Sequence, residues 1–180
     1  GAAPISSEVL EFFDACGVLV LEGYGLTESC AAATLNTREA FRFGTVGRAL
    51  PDTEVRIADD GEVLLRGGHV FSGYWGQPEA TAEAIRDGWL HTGDLGSLDA
   101  DGFLRITGRK KELIITSSGK NVSPANLEAA LRDSRWLSQA VVYGDRRPYL
   151  VAIVTLDPDE APALAAELGV AADVGAMAAD

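Results

Sequence analysis

Asp-Gly turns between short apolar runs constrain the fold of this 180-residue chain more than any other feature. Asp60-Gly61 separates the runs EVRIA and EVLLRG, and Asp101-Gly102 directly precedes FLRITG. Asp-Gly between such runs is a strong signal for a β-hairpin. We therefore predict a small antiparallel sheet or barrel between Thr45 and Ile106, interrupted by one helix in PEATAEAIRDG, which has Pro78 in its first turn and Gly88 at its end.

The segment before this sheet reads as a helix followed by a strand. Ser6 or Ser7 is predicted to cap a helix over residues 8–15, which places four apolar side chains on one buried face: Val9, Leu10, Phe12 and Phe13. The continuous apolar run VLVLE, residues 18–22, is typical of a buried strand in a parallel sheet. This segment is predicted to be α/β.

The last third alternates strand and helix. The strand ELIIT is followed by the helix SPANLEAALRD, for which Ser123 is the predicted cap. Two strands at 139–143 and 149–156 and an Ala-rich helix at 160–168 follow. The pattern predicts a compact α+β unit.

The net charge of the chain limits the kinds of molecule that it is expected to bind. The formal net charge is −12, and residues 1–108 carry net −10 while residues 109–180 carry net −2. An acidic chain is a poor match for nucleic acid or an anionic membrane surface. The cations that stand out are Arg109, Lys110 and Lys111, and with Lys120 the last two are the only lysines of the chain. We interpret Lys110 as part of a solvated charge run at the edge of a strand.

Cys16 and Cys30 match no metal-binding spacing and suggest free thiols in a reducing cytosol, although the pair could also form a disulfide. No apolar run approaches the roughly 18 residues of a membrane span. We therefore expect a cytoplasmic protein. Because the first residue is not Met, we also expect the sequence to begin inside a longer chain.

GYGLTES, residues 23–29, follows the predicted strand and carries several ligand-binding groups. Gly23 and Gly25 would let the backbone approach a ligand, Tyr24 offers a flat face and Thr27 a hydroxyl. The carboxylate of Glu28 could hold Mg²⁺. A Gly-rich turn with polar decoration is an equally acceptable interpretation of this stretch alone.

WLHTGDLG, residues 89–96, places Asp94 where a strand pattern restarts. A carboxylate there could accept both hydroxyls of a ribose, whereas taken alone the stretch more often indicates an Asx turn. We interpret His91 and His69 as structural, because no nucleophile is placed to use them. No HExxH, CxxC, GxSxG or Walker pattern occurs, so zinc hydrolysis and serine acyl transfer have no support.

Five stretches in series carry a family resemblance: GYGLTES, RFGTVGRALPDTEVRI, GEVLLRGGHVFSGYWGQPEATAEAI, GWLHTGDLG and DGFLRITGRKKELIITSSGKNVSPANLE. In this order and spacing they resemble the adenylate-forming (AMP-binding) superfamily of acyl-CoA synthetases, adenylation domains and luciferases. TGRKKELIITSSGKNVSPANLE is most similar to the long-chain fatty acyl-CoA synthetases.

The resemblance implies an activity. Such enzymes join a carboxylate to the α-phosphate of ATP, release pyrophosphate, and pass the acyl group to coenzyme A. The implied ligands are ATP or AMP, Mg²⁺, coenzyme A and a fatty acid, and the intact enzyme is expected to associate peripherally with membranes. The implied domains are the carboxyl-terminal part of the AMP-binding domain at 1–110, with an α/β segment at 1–44 and a β-rich subdomain at 45–110, and an incomplete lid at 111–180.

The resemblance also implies residue roles, which are expectations. Tyr24 would stack on adenine, Thr27 would contact phosphate or the substrate carboxylate, and Glu28 would lie near Mg²⁺. Asp94 and Arg109 would hold the ribose, and Lys111 would be the hinge before the lid. Backbone at Gly1 to Pro4, including Ala3 and Pro4, would line the adenine pocket, and Gly119 would approach the pantetheine channel.

Two departures from the family limit the implied activity. The Ser/Thr/Gly-rich phosphate loop is absent, and no lysine follows Lys120 to serve as the catalytic lysine of the lid. Adenylyl transfer depends on cations that neutralise developing phosphate charge. We therefore predict that this chain alone is inactive and leaves apolar surface exposed near its start. The alternatives are a ligase for another carboxylic acid, such as an aryl or amino acid, and a non-catalytic adenylate-binding module.

Overall fold

The computed structural model describes residues 5–169. The chain divides into two compact units, Gly1–Lys111 and Glu112–Asp180. The whole is a mixture of helices and mainly antiparallel strands, which confirms the predicted mixed α/β class.

Helix α1 (Ser7–Ala15) opens the first unit and begins as predicted. The side chain of Ser6 accepts a hydrogen bond from the Val9 amide at 3.3 Å, which satisfies one of the free amides of the first turn. The prediction that four apolar side chains of α1 form one buried face is wrong, because only Leu10 is buried and Phe12 is 64% exposed. An apolar stripe is buried only where another element covers it, so the predicted exposure of apolar surface here is confirmed.

The predicted strand at residues 18–22 is wrong. The structure assigns no strand there, and Val18 is 53% exposed. The next strands are β1 (Gly23–Tyr24), β2 (Thr34–Leu35) and β3 (Arg48–Ala49), which form an antiparallel sheet in the order β1-β2-β3. An apolar run favours burial, but a strand also requires a neighbour that completes its backbone hydrogen bonds.

A five-stranded antiparallel sheet forms the centre of the unit. Its strands are β4 (Thr53–Ile57), β5 (Glu62–Gly67), β6 (Ile85–Arg86), β7 (Trp89–Leu98) and β8 (Leu104–Arg109), in the order β4-β5-β7-β6 with β8 also paired to β7. Both predicted Asp-Gly hairpins are confirmed, since β4 pairs with β5 and β7 with β8. The sequence pattern therefore predicts this sheet correctly.

The helix inserted into this sheet is shorter than predicted. Helix α2 (Pro78–Ala84) begins at Pro78, but the chain continues directly into β6. Asp87 and Gly88, with φ of 51° and 77°, then form the turn between β6 and β7. Two successive left-handed residues are typical of a type I′ hairpin, so this Asp-Gly is a third hairpin signal.

The core of the first unit consists of apolar side chains that are almost completely buried. Side chains from β5, β7 and β8 meet Ala33, and each is at most 1% exposed: Val63, Leu65, Leu90 and Leu104. Two carboxylates, Glu62 and Asp94, are buried beside these apolar side chains. Burying a charged group costs free energy unless hydrogen bonds compensate. Each of these two carboxylates is bound by hydrogen-bond donors.

Within residues 112–169, the second unit contains two short sheets and two helices. Strands β9 (Ile114–Ile115) and β10 (Asn121–Val122) pair, and β11 (Leu137–Tyr143) pairs with β12 (Val151–Leu156). Helices α3 (Pro124–Arg132) and α4 (Ala161–Leu168) agree with prediction. Ser123 lies at the predicted N-cap position of α3, but it makes no capping hydrogen bond. Its buried hydroxyl has no hydrogen-bond partner among the residues described.

None of the helices in the described part of the chain is long and apolar enough to cross a membrane.

Candidate nucleotide site

Asp94 is the centre of the candidate site. It lies in β7 opposite Arg109 of β8, and its residue surface is only 5% exposed. Its Oδ2 accepts a hydrogen bond from the Tyr24 hydroxyl at 2.6 Å, and its Oδ1 accepts one from Nε of Arg109 at 2.9 Å. The structure therefore brings together three residues that the sequence assigned to one nucleotide, although they are as many as 85 positions apart in the sequence.

Tyr24 is held at its hydroxyl end. Its ring packs partly buried against the apolar core, and burial together with the bond to Asp94 raises the pKa of the phenol far above its ordinary value. Tyr24 therefore stays a hydrogen-bond donor at neutral pH. Each carboxylate oxygen offers two acceptor sites, so Asp94 can still accept hydroxyl groups of a ligand while both protein donors remain bound.

Thr27 and Glu28 lie on a short 3₁₀ turn, Thr27–Ser29, that follows β1. The Tyr74 hydroxyl donates to Oε1 of Glu28 at 2.7 Å, and the Phe71 amide donates to the Glu28 carbonyl at 2.8 Å. The bond to Glu28, with partial burial, raises the pKa of Tyr74. Glu28 is thus fixed at its carboxylate and at its carbonyl. No motif in the sequence marks Tyr74 as its partner.

The two glycines of GYGLTES are explained by the protein's own packing. A side chain at Gly25 would lie 1.4 Å from the Ala31 carbonyl oxygen, and one at Gly23 would lie 2.8 Å from the Leu35 side chain. Packing within the chain therefore already favours glycine at both positions. The expectation that these glycines also admit a ligand stays a prediction.

The remaining predicted residues are dispersed. Lys111 is exposed on the 3₁₀ turn Lys110–Glu112, at the end of the first unit. Gly119, with φ of 81°, lies in the exposed loop between β9 and β10 of the second unit. Ala3 and Pro4 lie outside the described residues. The roles assigned to all these residues stay predictions.

Lys110 is exposed at the end of β8, as interpreted, but its charge is also paired. Its Nζ lies 2.5 Å from Oδ2 of Asp60 and 3.2 Å from Oε2 of Glu62. Glu62 also receives a bond from Nδ1 of His91 at 3.1 Å, which agrees with the structural role predicted for that histidine. Glu62 itself was missed, because a glutamate after an Asp-Gly turn resembles any exposed hairpin residue.

The remaining predictions on side chains have simple outcomes. Nδ1 of His69 lies 3.4 Å from the Thr53 hydroxyl, in keeping with a packing role. Cys16 and Cys30 are exposed free thiols, as predicted.

Comparison with known proteins decides the family. Residues 1–75 match the model of AMP-binding enzymes, and residues 111–171 match the model of the AMP-binding enzyme C-terminal domain. The chain belongs to the AMP-binding enzyme family. The predicted resemblance to the AMP-binding superfamily is thereby confirmed.

Two curated relatives and two solved structures of one further protein show the similarity. The long-chain-fatty-acid–CoA ligase FadD15 of Mycobacterium bovis is 51% identical over 159 residues, which are 88% of this chain and 26% of the relative. The long-chain-fatty-acid–CoA ligase ACSBG2 of Gallus gallus is 45% identical over 87% of this chain and 21% of its own length. The chain therefore spans about a quarter of the length of these AMP-binding enzymes.

One structural relative is o-succinylbenzoate CoA synthetase of Bacillus subtilis. In complex with its acyl-adenylate intermediate it matches with a TM-score of 0.81 and 30% identity, over 94% of this chain and 38% of that one. In complex with ATP and magnesium ion it matches with a TM-score of 0.78 and 31% identity, over 87% of this chain and 35% of that one.

Proposed function

We propose that this chain is part of an ATP-dependent long-chain fatty acid–CoA ligase and contributes the ribose-binding side of its nucleotide site. The enzyme would join a fatty acid carboxylate to the α-phosphate of ATP, with loss of pyrophosphate. The thiol of coenzyme A would then displace AMP from the acyl-adenylate and form the thioester. The sequence identity to FadD15 supports a long-chain fatty acid as the substrate. The predicted roles of Lys111 as hinge and of Gly119 near the pantetheine channel belong to the second step, thioester formation.

The observation that carries the proposal is the Asp94 carboxylate with its two donors. Asp94 is buried, and Tyr24 and Arg109 hold it in one orientation at 2.6 and 2.9 Å. A fixed carboxylate with unused acceptor sites can receive the two hydroxyls of a ribose without first reorganising. Arg109, whose side chain is 56% exposed, would contact the same ribose from the solvent side.

Glu28 would hold Mg²⁺ beside the phosphates. The described residues contain no group of three or more His, Cys, Asp or Glu side chains able to bind a metal ion by themselves. Mg²⁺ commonly takes one or two carboxylates and completes its shell with water and substrate phosphates, so a single glutamate fits this mode. Bound there, the ion would neutralise phosphate charge; Tyr74 would keep the Glu28 carboxylate oriented.

The chain alone is proposed to be inactive. No lysine follows Lys120 in this chain, so the catalytic lysine expected of the lid is not supplied by it. The isolated chain with ATP, palmitate and coenzyme A should form no palmitoyl-CoA. A cytoplasmic location and a peripheral membrane association of the intact enzyme stay predictions.

A second candidate is a ligase for an aryl acid. The structural relative from Bacillus subtilis is an o-succinylbenzoate CoA synthetase, and this chain matches it over 94% of its length. The higher identity to fatty-acid ligases favours the first candidate.

A segment exchange tests the proposal. The matching 159 residues of FadD15 are replaced by those of this chain, and the hybrid is assayed for palmitoyl-CoA. We expect activity in the hybrid and its loss in a hybrid carrying Asp94→Asn, whereas Glu54→Gln, an exposed glutamate of β4, should leave activity unchanged. A folded hybrid that binds AMP but forms neither acyl-adenylate nor thioester would contradict the proposal.

A further inference from the structure

Glu62 is a buried carboxylate outside the set of predicted site residues. It is the first residue of β5 and is 5% exposed. A buried carboxylate is costly unless several donors stabilise it, and removal of its partners would leave an uncompensated charge. The question is what the bonds to Glu62 hold in place.

Glu62 binds three donors from two other strands or their ends. Its Oε1 accepts the backbone amide of Gly93 at 2.9 Å, and its Oε2 accepts Nδ1 of His91 at 3.1 Å and Nζ of Lys110 at 3.2 Å. Because a carboxylate only accepts, Nδ1 of His91 carries the hydrogen. Burial opposes ionisation, but these donors outweigh it and lower the pKa of Glu62 below its ordinary value.

The amide of Gly93 belongs to an interruption of the sheet. The register pairs Leu64 with His91 and Glu62 with Leu95, so three residues of β7 stand opposite one of β5. Gly93 has φ of +72°, which favours glycine. This bulge turns the chain immediately before Asp94, and the Glu62 side chain binds the amide at its centre.

The other end of the site is held by the same carboxylate. Arg109 lies opposite Asp94 in the β7–β8 register, and Lys110 follows it directly. Lys110 bonds both Glu62 and Asp60, and the Asp60 side chain also accepts the Glu62 amide at 3.1 Å. One buried carboxylate is thus bound to the residue before Asp94 and to the residue after Arg109.

We propose that Glu62 is a positioning residue that fixes the Asp94–Arg109 pair in the geometry needed to bind the two ribose hydroxyls. Glu62 acts through the Gly93 amide and the Lys110 ammonium and does not itself touch the nucleotide. The inference rests on the proposed function, since it assigns Glu62 to the ribose side of that site.

The test is calorimetric titration of the full 180-residue chain with AMP and with 2′,3′-dideoxy-AMP. The ratio of the two affinities measures recognition of the ribose hydroxyls, whereas general loss of stability would weaken both ligands together. We expect Glu62→Gln to lower this ratio several-fold but by less than Asp94→Asn, because the Asp94 carboxylate is retained while the Gly93 and Lys110 contacts that position it are weakened. Lys110→Met should lower it by less, and Glu54→Gln should leave it unchanged.

Asp94→Asn separates the two claims. If Asp94→Asn removes the ribose preference while Glu62→Gln and Lys110→Met both retain it, the positioning role is overturned and the nucleotide site stands. If the wild type shows no ribose preference, or Asp94→Asn keeps it, the proposed function falls as well. Circular dichroism checks the fold, and if Glu62→Gln does not fold, Lys110→Met decides, since Lys110 is partly exposed.

Discussion

The sheets of the two units differ in how completely their side chains are buried. The sheet of the first unit encloses apolar side chains that are at most 1% exposed and places two hydrogen-bonded carboxylates beside them. In the second unit one face of β11–β12 is covered, as the burial of Ala140 and Val142 indicates, but its other face carries Val141 and Ile153, the latter 72% exposed. The central sheet of the first unit therefore surrounds its polar site with buried side chains, whereas the two-stranded sheet of the second unit leaves one apolar face exposed.

The largest expected effect is the removal of a core side chain from the first unit. Leu65→Ala should destabilise that unit by about 2–5 kcal/mol, because Leu65 is fully buried and its truncation leaves a cavity. Ile153→Ala in the second unit should cost far less, since its side chain is already in water. Peptide-resolved hydrogen exchange reports each unit separately. Equal losses would break the contrast between the two units.

Gly93→Ala should have an intermediate effect. A side chain at Gly93 meets nothing within 4 Å, but its φ of +72° is unfavourable for alanine by about 1–2 kcal/mol. Gly68→Ala is a matched control, because a side chain there also meets nothing within 4 Å and its φ lies outside the left-handed region. Urea unfolding of both variants should show a loss only for Gly93→Ala; two equal losses would contradict the bulge geometry.

The smallest expected effect is the pH dependence that Glu62 confers. Hydrogen bonds from His91, Gly93 and Lys110 lower the pKa of Glu62 below the ordinary 4.5 despite its burial. Its stabilising contribution should be complete above about pH 4.5 and lost as the pH falls through the lower, folded-state pKa. Asp60, which shares Lys110, also has a lowered pKa and titrates in the same direction.

The measurement is the difference in unfolding free energy between wild type and Glu62→Gln as a function of pH. This difference cancels the carboxylates that do not interact with Glu62 or Lys110, and we expect it to be constant from pH 7 to 5.5 and to shrink in more acidic solution. A difference that grows as the pH falls would mean that the ionised form of Glu62 is not the one stabilised.

Local sequence patterns predicted much of this fold. The Asp-Gly turns located the hairpins, and Pro78 and Pro124 marked the starts of α2 and α3. The apolar run at 18–22 failed, because period and hydrophobicity do not reveal whether a pairing strand is present. Helix α1 likewise shows only Leu10 buried, since burial depends on a neighbour that no local pattern specifies.

The candidate site divides in the same manner. Tyr24, Asp94 and Arg109 were predicted from motifs, and the structure brings them into contact. Glu62 was missed because its importance comes from a register shift between β5 and β7, which depends on long-range pairing. The partners of Lys110 were missed for the same reason, since the hairpin that supplies Asp60 lies 50 residues earlier.

A nucleotide site built on Asp94 predicts that the chain binds AMP more tightly than 2′,3′-dideoxy-AMP, and calorimetry of wild type and Asp94→Asn measures the ratio of the two affinities. Hydrogen bonds to a charged group contribute about 1.5–3 kcal/mol, so the wild type should prefer AMP by about tenfold or more. Asp94→Asn should bring the ratio close to one. A wild-type chain that binds both ligands equally, or a variant that keeps the preference, would contradict a nucleotide site built on Asp94.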